Sequence, residues 1–152
     1  MVVGECPGEQ ENSQGVPFVG KAGNILEEIL TEIEWTSGIY LTNIGKCRPP
    51  NNRIPTIEEQ SCCGKWLLQE IEIVKPIGII CLGRTSAEFF LRASNLSTEG
   101  SPRGKQFNWY VPILCTWHPM AIGYPGGESK REQLKQDLII GRNWLNSEHR
   151  PL

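Results

Sequence analysis

Short apolar runs rich in β-branched residues alternate along the chain with amphipathic segments. The runs at residues 1–3, 39–44, 77–82 and 111–116 have strand length and predict four β-strands. Apolar residues recur at helical spacing over residues 25–33 and predict a helix between the first two strands. Because strands that alternate with helices are typical of parallel sheets, we expect an α/β fold.

Further helix starts are predicted where a hydroxyl residue is followed three positions later by a glutamate, the pattern of a capping box. The three pairs are Thr56 with Glu59, Thr85 with Glu88, and Ser129 with Glu132. The last pair opens a helix that runs toward Trp144 and Leu145. Residues 95–104 are predicted to form a polar loop. No repeat or linker divides the chain, so residues 1–152 are expected to form one domain.

Composition narrows the classes of function. The net charge of −2 argues against nonspecific coating of a polyanion but leaves room for a local basic patch. No apolar run reaches the length of a membrane span and no signal peptide leads the sequence, so we expect a cytoplasmic protein that does not bind a membrane. The six cysteines are therefore expected to be reduced, with Cys81 and Cys115 acting as small buried hydrophobes.

Unusual segments follow all four predicted strands. Residues 4–8 follow the first strand and residues 42–56 the second, while residues 83–85 and 116–119 follow the third and fourth. Ligands of parallel α/β sheets bind beyond the carboxyl ends of the strands. We therefore expect the four segments to meet at one edge of the sheet.

Residues 42–56 combine an amide, a thiol and three cationic side chains with three prolines. Prolines fix φ and remove backbone donors, so this stretch is predicted to be a rigid, irregular loop, where recognition and chemistry concentrate. Neither Cys47 in this loop nor Cys63 beyond it has a CxxC partner. Spacing alone therefore does not support a four-cysteine metal site.

Several residues at the strand ends have both a structural and a functional interpretation. The turn at residues 4–8 lacks the GxGxxG and P-loop lysine patterns, so a nucleotide-cofactor site is weakly supported and a tight turn explains its glycines. Phe18 is either a core residue or a platform for a stacked base. Asn43 either closes a turn or reads the edge of a pyrimidine. His118 is either structural or catalytic, whereas the other histidine, His149, lies in a polar tail.

Taken in order, these segments resemble those of the family 4 uracil-DNA glycosylases, the iron–sulfur type from bacteria and archaea. The resemblance covers nearly the whole chain and is specific because the motifs share one order and spacing. It rests on GECPGEQEN (4–12), GVPFVGKAG (15–23), YLTNIGKCRPPNNRIPT (40–56), the cysteine at 63, KPIGIICLGRTSAEFFL (75–91) and the WHP at 117–119. It implies a three-layer α/β/α fold around a central, mostly parallel four-stranded sheet.

The resemblance also implies an enzyme of DNA base-excision repair, which flips uracil out of DNA, hydrolyses its N-glycosidic bond and leaves an abasic site. Uracil-containing DNA, single- or double-stranded, is the implied partner of an expected monomer. The alternatives are a catalytically weak or inactive uracil- or DNA-binding relative and a small-molecule nucleotide-binding module. A covalent uracil-trapping relative is disfavoured because residues 97–109 lack the basic, histidine-bearing loop of such proteins.

The same resemblance implies roles for the residues of the pocket. Phe18 would stack on the flipped uracil, and Asn43 would read its Watson–Crick edge. His118 would donate toward uracil O2 as negative charge builds on the leaving base. Glu5 and Glu11, which otherwise belong to a solvated acidic loop, would complete the catalytic set by shaping the pocket or holding water. Substrate contacts are also implied for Gly4 and Cys6.

The implied contacts with DNA lie outside the pocket. Residues 119–127 match the loop that presses into the duplex once the base has left it. The individual residues expected to contact DNA are Lys46, Arg48, Arg53, Arg84 and Pro119.

A 4Fe–4S cluster is implied by the family, with Cys47 and Cys63 as two of its four ligands. The other two belong to a CxxC segment ahead of the first motif, so this chain is expected to be N-terminally short and its ligand set incomplete. Two residues also depart from the family pattern. Cys6 stands where alanine or glycine is usual, and Asn12 follows Glu11 in place of an acidic residue.

Overall fold

The computed structural model describes residues 1–145, which form a five-stranded sheet flanked by helices. Short 3₁₀ turns at Pro50–Asn52 and Pro119–Gly123 precede α3 and α5. In chain order the strands and α-helices are β1 (Val2–Gly4), α1 (Glu9–Gln14), α2 (Lys21–Glu32), β2 (Leu41–Asn43), α3 (Ile57–Val74), β3 (Ile79–Leu82), α4 (Arg84–Ala93), β4 (Gln106–Asn108), β5 (Pro112–Thr116) and α5 (Gly127–Trp144).

Four strands of the sheet are parallel and lie in the order β2-β1-β3-β5, and β4 pairs antiparallel with β5 at the edge. The predicted α/β class is confirmed, with one strand more than the four predicted. The additional strand, β4, has a single half-buried apolar residue, Phe107, between the exposed Gln106 and Asn108. No apolar run marks such a strand in the sequence, and its neighbour β5 supplies the backbone partners that form it.

Side chains alternate between the two faces of the sheet and build two cores. On one face Val2 and Leu82 pack with side chains of α2 and α5. On the other face Val3 and Cys81 pack with side chains of α3 and α4. The protein is therefore three layers deep, as the sequence resemblance implied. Cys81 and Cys115 are both buried in the second core, which confirms that they act as small hydrophobes.

Helix α2 confirms the helix predicted over residues 25–33. Its buried side chains include Leu26, Ile29 and Leu30, which belong to the first core. Burial of each such side chain contributes about 2 kcal/mol of transfer free energy. The helix is thus fixed on the sheet, and it holds in place the segment that leads into its amino end at Gly20.

The capping box predicted at Thr56 is confirmed at the start of α3. The backbone N–H of Glu59 donates to the Thr56 hydroxyl over 3.2 Å, and the backbone N–H of Thr56 donates to the Glu59 carboxylate over 2.8 Å. These two bonds satisfy backbone donors that the first turn of a helix otherwise leaves unpaired.

The other two predicted caps are wrong. Helix α4 begins at Arg84, so Thr85 already lies in its first turn, and its hydroxyl bonds to another part of the chain. Helix α5 begins at Gly127, which places Ser129 inside its first turn as well. The acidic stretch after residue 8 is also not a loop throughout, because Glu9–Gln14 forms α1.

Residues 95–104, predicted to form a polar loop, connect α4 to β4 without a helix or strand. No helix within residues 1–145 is long and apolar enough to cross a lipid bilayer. His149, interpreted as part of a polar tail, lies outside the described residues.

Candidate active site

The segments that follow β1, β2 and β5 line one cavity, whereas the segment that follows β3 lies beside it and contacts the lining residues Glu5 and His118. Asn43 ends β2 and pairs in register with Gly4 of β1, which is followed by Glu5. His118 follows β5, whose last residue, Thr116, pairs with the end of β3. The cavity has a volume of about 680 Å³. Its lining includes six of the residues assigned to the site from the sequence: Glu5, Cys6, Glu11, Phe18, Asn43 and His118.

Gly4 lies against Asn43 and Phe18, the two residues assigned to base recognition. A Cβ atom built on Gly4 would stand 2.5 Å from Oδ1 of Asn43 and 2.7 Å from Cζ of Phe18. Real Cβ atoms do not approach other atoms so closely, so only glycine leaves room for the amide and the ring together. Gly4 is itself buried and does not line the cavity, so the substrate contact predicted for it stays a prediction, whereas its lack of a side chain makes room for Asn43 and Phe18.

The ring of Phe18 is held by an unusual backbone conformation. Phe18 has a φ of 57°, in the left-handed region, which costs a non-glycine residue about 1 kcal/mol. Its carbonyl oxygen packs against α2 at Gly23, where a Cβ would lie only 1.8 Å away. Phe18 is half-buried and lines the cavity.

Glu11 connects two loops that border the cavity. Its Oε2 accepts a hydrogen bond from the backbone N–H of Gly8 (3.1 Å), and its Oε1 accepts one from the backbone N–H of Gly20 (2.7 Å). These glycines precede the first residues of α1 and α2. Because both oxygens are used by backbone donors, the geometry favours a role for Glu11 in shaping the pocket over one in proton transfer.

Glu5 is oriented by a residue that the sequence did not associate with the site. The Thr85 hydroxyl donates to Oε2 of Glu5 over 2.5 Å, and Thr85 is itself buried. Among the described residues no hydrogen bond is made to Oε1 of Glu5, so this oxygen is available to accept from water. The only signal for Thr85 was its position just beyond the third predicted strand, on the edge where the other segments meet.

The surroundings of the His118 ring favour its neutral form. The backbone N–H of Met120 donates to Nδ1 of His118 over 3.2 Å, so the proton of a neutral ring resides on Nε2. Burial lowers the pKa of His118 below its ordinary value, because the protein interior disfavours the imidazolium. A neutral imidazole that donates from Nε2 can bind an oxygen on which negative charge develops.

The thiol of Cys6 lines the same cavity. Burial, and then the neighbouring Glu5 carboxylate, raise its pKa to about 12. The thiol is therefore protonated at neutral pH and is a weak hydrogen-bond donor, not a nucleophile.

The residues predicted to contact DNA differ in their surroundings. Arg53 lines the cavity and makes a bidentate ion pair with Glu59, in which the guanidinium nitrogens lie 2.7 and 2.8 Å from the carboxylate oxygens. Arg48 donates from Nε to Oδ1 of Asn52 over 2.8 Å. The side chain of Arg84 is 60% exposed and makes an ion pair within α4. Asn52 also lines the cavity and was not singled out from the sequence.

Two of the residues predicted to contact DNA, Pro119 and Lys46, lie in more enclosed surroundings. Pro119 is buried, so its neighbours Met120 and Tyr124 line the cavity in its place, and Tyr124 is 66% exposed. Lys46 does not line the cavity. It makes three hydrogen bonds within the protein, to Thr42, to Glu70 and to a backbone carbonyl. A lysine has three N–H donors, so none is left for a phosphate group.

The thiols implied as cluster ligands lie outside the cavity. Cys47 is exposed and Cys63 is half-buried. Within residues 1–145, His, Cys, Asp and Glu side chains nowhere gather in a group of three or more that could hold a metal ion. A 4Fe–4S cluster requires four ligands, so the described residues do not by themselves fit one.

Comparison with known proteins relates this geometry to a family. Residues 1–139 match the family model of the uracil DNA glycosylase superfamily. A type-4 uracil-DNA glycosylase of Thermotoga maritima is 39% identical over 155 residues, which cover 97% of this chain and 78% of the relative. A second one, of Archaeoglobus fulgidus, is 40% identical over 145 residues, which cover 90% of this chain and 70% of the relative.

A type-5 uracil-DNA glycosylase of Thermus thermophilus is 34% identical over 159 residues, which cover 91% of this chain and 72% of the relative. The matches extend across the segments that surround the cavity and confirm the resemblance inferred from the sequence motifs. The chain belongs to the uracil-DNA glycosylase superfamily, and its type-4 character is confirmed.

Proposed function

We propose that this protein is a monofunctional uracil-DNA glycosylase, which hydrolyses the bond between uracil and deoxyribose and leaves an abasic site. The observation that carries the proposal is the meeting of an amide, an aromatic ring and a neutral imidazole in one cavity. These groups belong to Asn43, Phe18 and His118. The proposed compartment is the cytoplasm, in keeping with bacterial and archaeal relatives.

Recognition is assigned to Asn43 and Phe18. Uracil presents an acceptor at O4 and a donor at N3, which match the NH₂ and Oδ1 of an asparagine amide. Cytosine has an amino donor at N4 and an acceptor at N3, the reverse pattern, so an amide held in the orientation that suits uracil is mismatched to cytosine. Phe18 supplies a stacking face, which contributes about 1–3 kcal/mol per base and does not discriminate among bases.

His118 is assigned to the leaving base. As the C1′–N1 bond breaks, its electron pair moves onto the uracil ring, and Nε2–H of His118 donates to O2. A preorganised donor of this kind contributes about 3 kcal/mol to lowering the barrier. The neutral state favoured by burial is the state that this role requires, since its proton is already on Nε2.

Glu5 is assigned to the water that attacks the sugar. Its Oε1 orients the water and takes up a proton as the water oxygen bonds to C1′, where positive charge has developed. The departing uracil anion takes up a proton from solvent. Glu11 holds the two loops around this centre through Gly8 and Gly20.

The base must leave the DNA stack to reach the cavity. Unstacking costs roughly a few kcal/mol and is least costly for mispaired or single-stranded bases. Arg48, Arg53 and Arg84 are assigned to the DNA backbone, and the Pro119–Gly123 turn with Tyr124 is assigned to the space that the base vacates. No step of the reaction requires an iron–sulfur cluster.

The test is incubation with an oligonucleotide that contains one uracil, followed by alkali to cleave abasic sites. We expect strand cleavage at uracil and none in a matched oligonucleotide with thymine. Asn43→Ala and His118→Ala should each lower the single-turnover rate about a hundredfold or more. Asn24→Ala, an exposed change on α2, is the control and should keep the wild-type rate.

Folded protein that yields no abasic product would contradict the enzymatic proposal. Salt-dependent binding of the same oligonucleotide without base release would identify the alternative, a non-catalytic relative that binds DNA.

A further inference from the structure

We propose that Lys46 is a positioning residue, which fixes Asn43 through a ring of hydrogen bonds with Thr42 and Glu70. The inference rests on the proposed function, because it concerns the side chain assigned to base recognition. It replaces the DNA-backbone role that the sequence resemblance implied for Lys46.

The ring joins the end of β2 to α3. Nζ of Lys46 donates to Oγ1 of Thr42, to the backbone carbonyl of Asn43 and to Oε2 of Glu70, each over 2.8 Å. The Thr42 hydroxyl donates in turn to the same oxygen of Glu70, over 2.6 Å. The three side chains therefore bond to one another in a closed ring, and the ammonium adds a contact to the peptide of Asn43.

Lys46 is less exposed than Arg53 and Arg84, two other cations predicted to contact DNA. The side chains of Lys46 and Glu70 are each 26% exposed, compared with 60% for Arg84. Thr42 is buried. A phosphate contact by Lys46 would require breaking one of three charge-assisted bonds in a partly buried site, and such bonds are stronger than neutral ones.

The ring holds one side of a peptide whose other side is held by β1. Asn43 pairs in register with Gly4, and its Oδ1 sits where a Cβ on Gly4 would collide with it. The backbone N–H of Ile44 donates to the carbonyl of Gly4 over 3.1 Å, which holds the other side of the same peptide. Without the bond from Lys46, this peptide would be held from the Ile44 side alone, and we expect the Asn43 amide to shift relative to the base edge.

Glu70 provides the anchor. It lies on α3, whose Leu67 and Ile71 are buried in the second core, so its carboxylate is presented from a rigid support. The position of Asn43 is thus set by its own strand and by a helix on the far side of the loop at residues 44–56.

The first experiment replaces Lys46 by methionine, which keeps the length of the side chain and removes its charge and donors. Lys65→Met, an exposed change on α3, is the matched control. For Lys46→Met we expect kcat on a uracil oligonucleotide to fall about tenfold to a hundredfold, as for a misplaced catalytic group, while KM changes little. Lys65→Met should keep both values.

The second measurement is the salt dependence of binding to an oligonucleotide with a 2′-fluoro-deoxyuridine, which resists cleavage. Loss of one phosphate contact lowers the slope of log affinity against log salt by about one. We expect the slope of Lys46→Met to equal that of the wild type. A slope reduced by about one, with kcat unchanged, would overturn the inference and restore Lys46 as a DNA contact.

A third measurement reports on Asn43 itself. Its side-chain amide gives a pair of ¹H–¹⁵N signals, identified by their loss in Asn43→Ala. We expect these signals to shift or broaden in Lys46→Met and to stay in place in Lys65→Met. Unmoved signals with a full kcat and a lowered melting temperature would show that Lys46 is merely structural, and would also overturn the inference.

Glu70→Met and Thr42→Val, which remove the acceptor and the hydroxyl, keep the test decisive if Lys46→Met does not fold. Each breaks the ring at another member, so each should lower kcat and move the Asn43 signals without changing the salt slope. Wild-type kcat in either folded variant would refute the ring. If the wild type released no uracil, the proposed function would fail, whereas the amide signals and the salt slope would still decide the role of Lys46.

Discussion

Thr85 and Glu5 follow different strands of the sheet, yet the Thr85 hydroxyl donates to Oε2 of Glu5 over 2.5 Å. The bond links the end of β3 to the end of β1 beside the cavity. A carboxylate that would orient water needs a fixed direction, and a buried hydroxyl donor supplies one without adding charge. Thr85 is therefore the support of Glu5 in the proposed reaction.

Replacement of Thr85 by valine should lower kcat about tenfold, because Glu5 would lose its orientation while the shape of the side chain is kept. Thr85→Ser keeps the hydroxyl and is expected to retain most of the activity. Single-turnover rates on a uracil oligonucleotide provide the comparison. Equal rates for valine and serine would show that the hydrogen bond has no role in catalysis.

Replacement of Gly4 by alanine should destabilise the fold by about 2 kcal/mol, the usual cost of an overpacked site, and should also abolish base recognition. The added methyl group would collide with Asn43 and Phe18. Chemical denaturation gives the free energy of unfolding, and the oligonucleotide assay gives the rate. Gly123→Ala, where no atom lies within 4 Å of the new Cβ, should unfold like the wild type.

The rate should depend on pH through His118. Its pKa is lowered by burial, so the ring stays neutral to a lower pH than an ordinary histidine. Activity is thus expected to persist below the usual histidine pKa of about 6.5 and to fall only as the pH passes the lowered value. A pH–rate profile of the chemical step measures this, and a loss of activity already near neutral pH would contradict it.

The lowered pKa of His118 also determines how the free energy of unfolding changes with pH. Between the lowered pKa of folded His118 and its ordinary pKa in the unfolded chain, the unfolded state binds more protons. The contribution of His118 to the free energy of unfolding should therefore decrease as the pH falls through this window. His118→Gln, which does not titrate, is expected to show a smaller decrease in denaturation measurements.

Thiol labelling should separate Cys6 from the exposed cysteines. The pKa of Cys6 is raised to about 12 by burial and by Glu5, so almost none of it is thiolate at neutral pH. Mass spectrometry after brief treatment with iodoacetamide should find Cys62 alkylated well before Cys6, because Cys62 is exposed. Equal labelling of the two would contradict the half-buried, protonated state of Cys6.

The sequence predicted the meeting of the site residues because parallel sheets impose it. Once residues 39–44 and 111–116 are identified as strands, Asn43 and His118 must lie at the same edge. The strands themselves carry strong apolar signals. β4 carries none, since its residues are mostly exposed, and only its pairing with β5 makes it a strand.

The supporting contacts were not predictable in the same way. Glu5 and Thr85 are 80 positions apart, and Lys46 and Glu70 are 24 apart. No periodicity or local motif states which polar side chains will pair over such separations. From the sequence, Lys46 was predicted to contact DNA from the loop at residues 42–56, and Thr85 was predicted to cap a helix. The roles that we propose for both residues rest on partners that only the three-dimensional structure shows.

The cramped arrangement over Gly4 limits how the protein can be redesigned for other bases. The amide of Asn43 and the ring of Phe18 both lie against the backbone of Gly4, so a side chain added at Gly4 alone would collide with both. A library that varies Gly4 alone should return few active clones. New substrate ranges are accessible through paired changes, in which a larger residue at one position is matched by a smaller one at another.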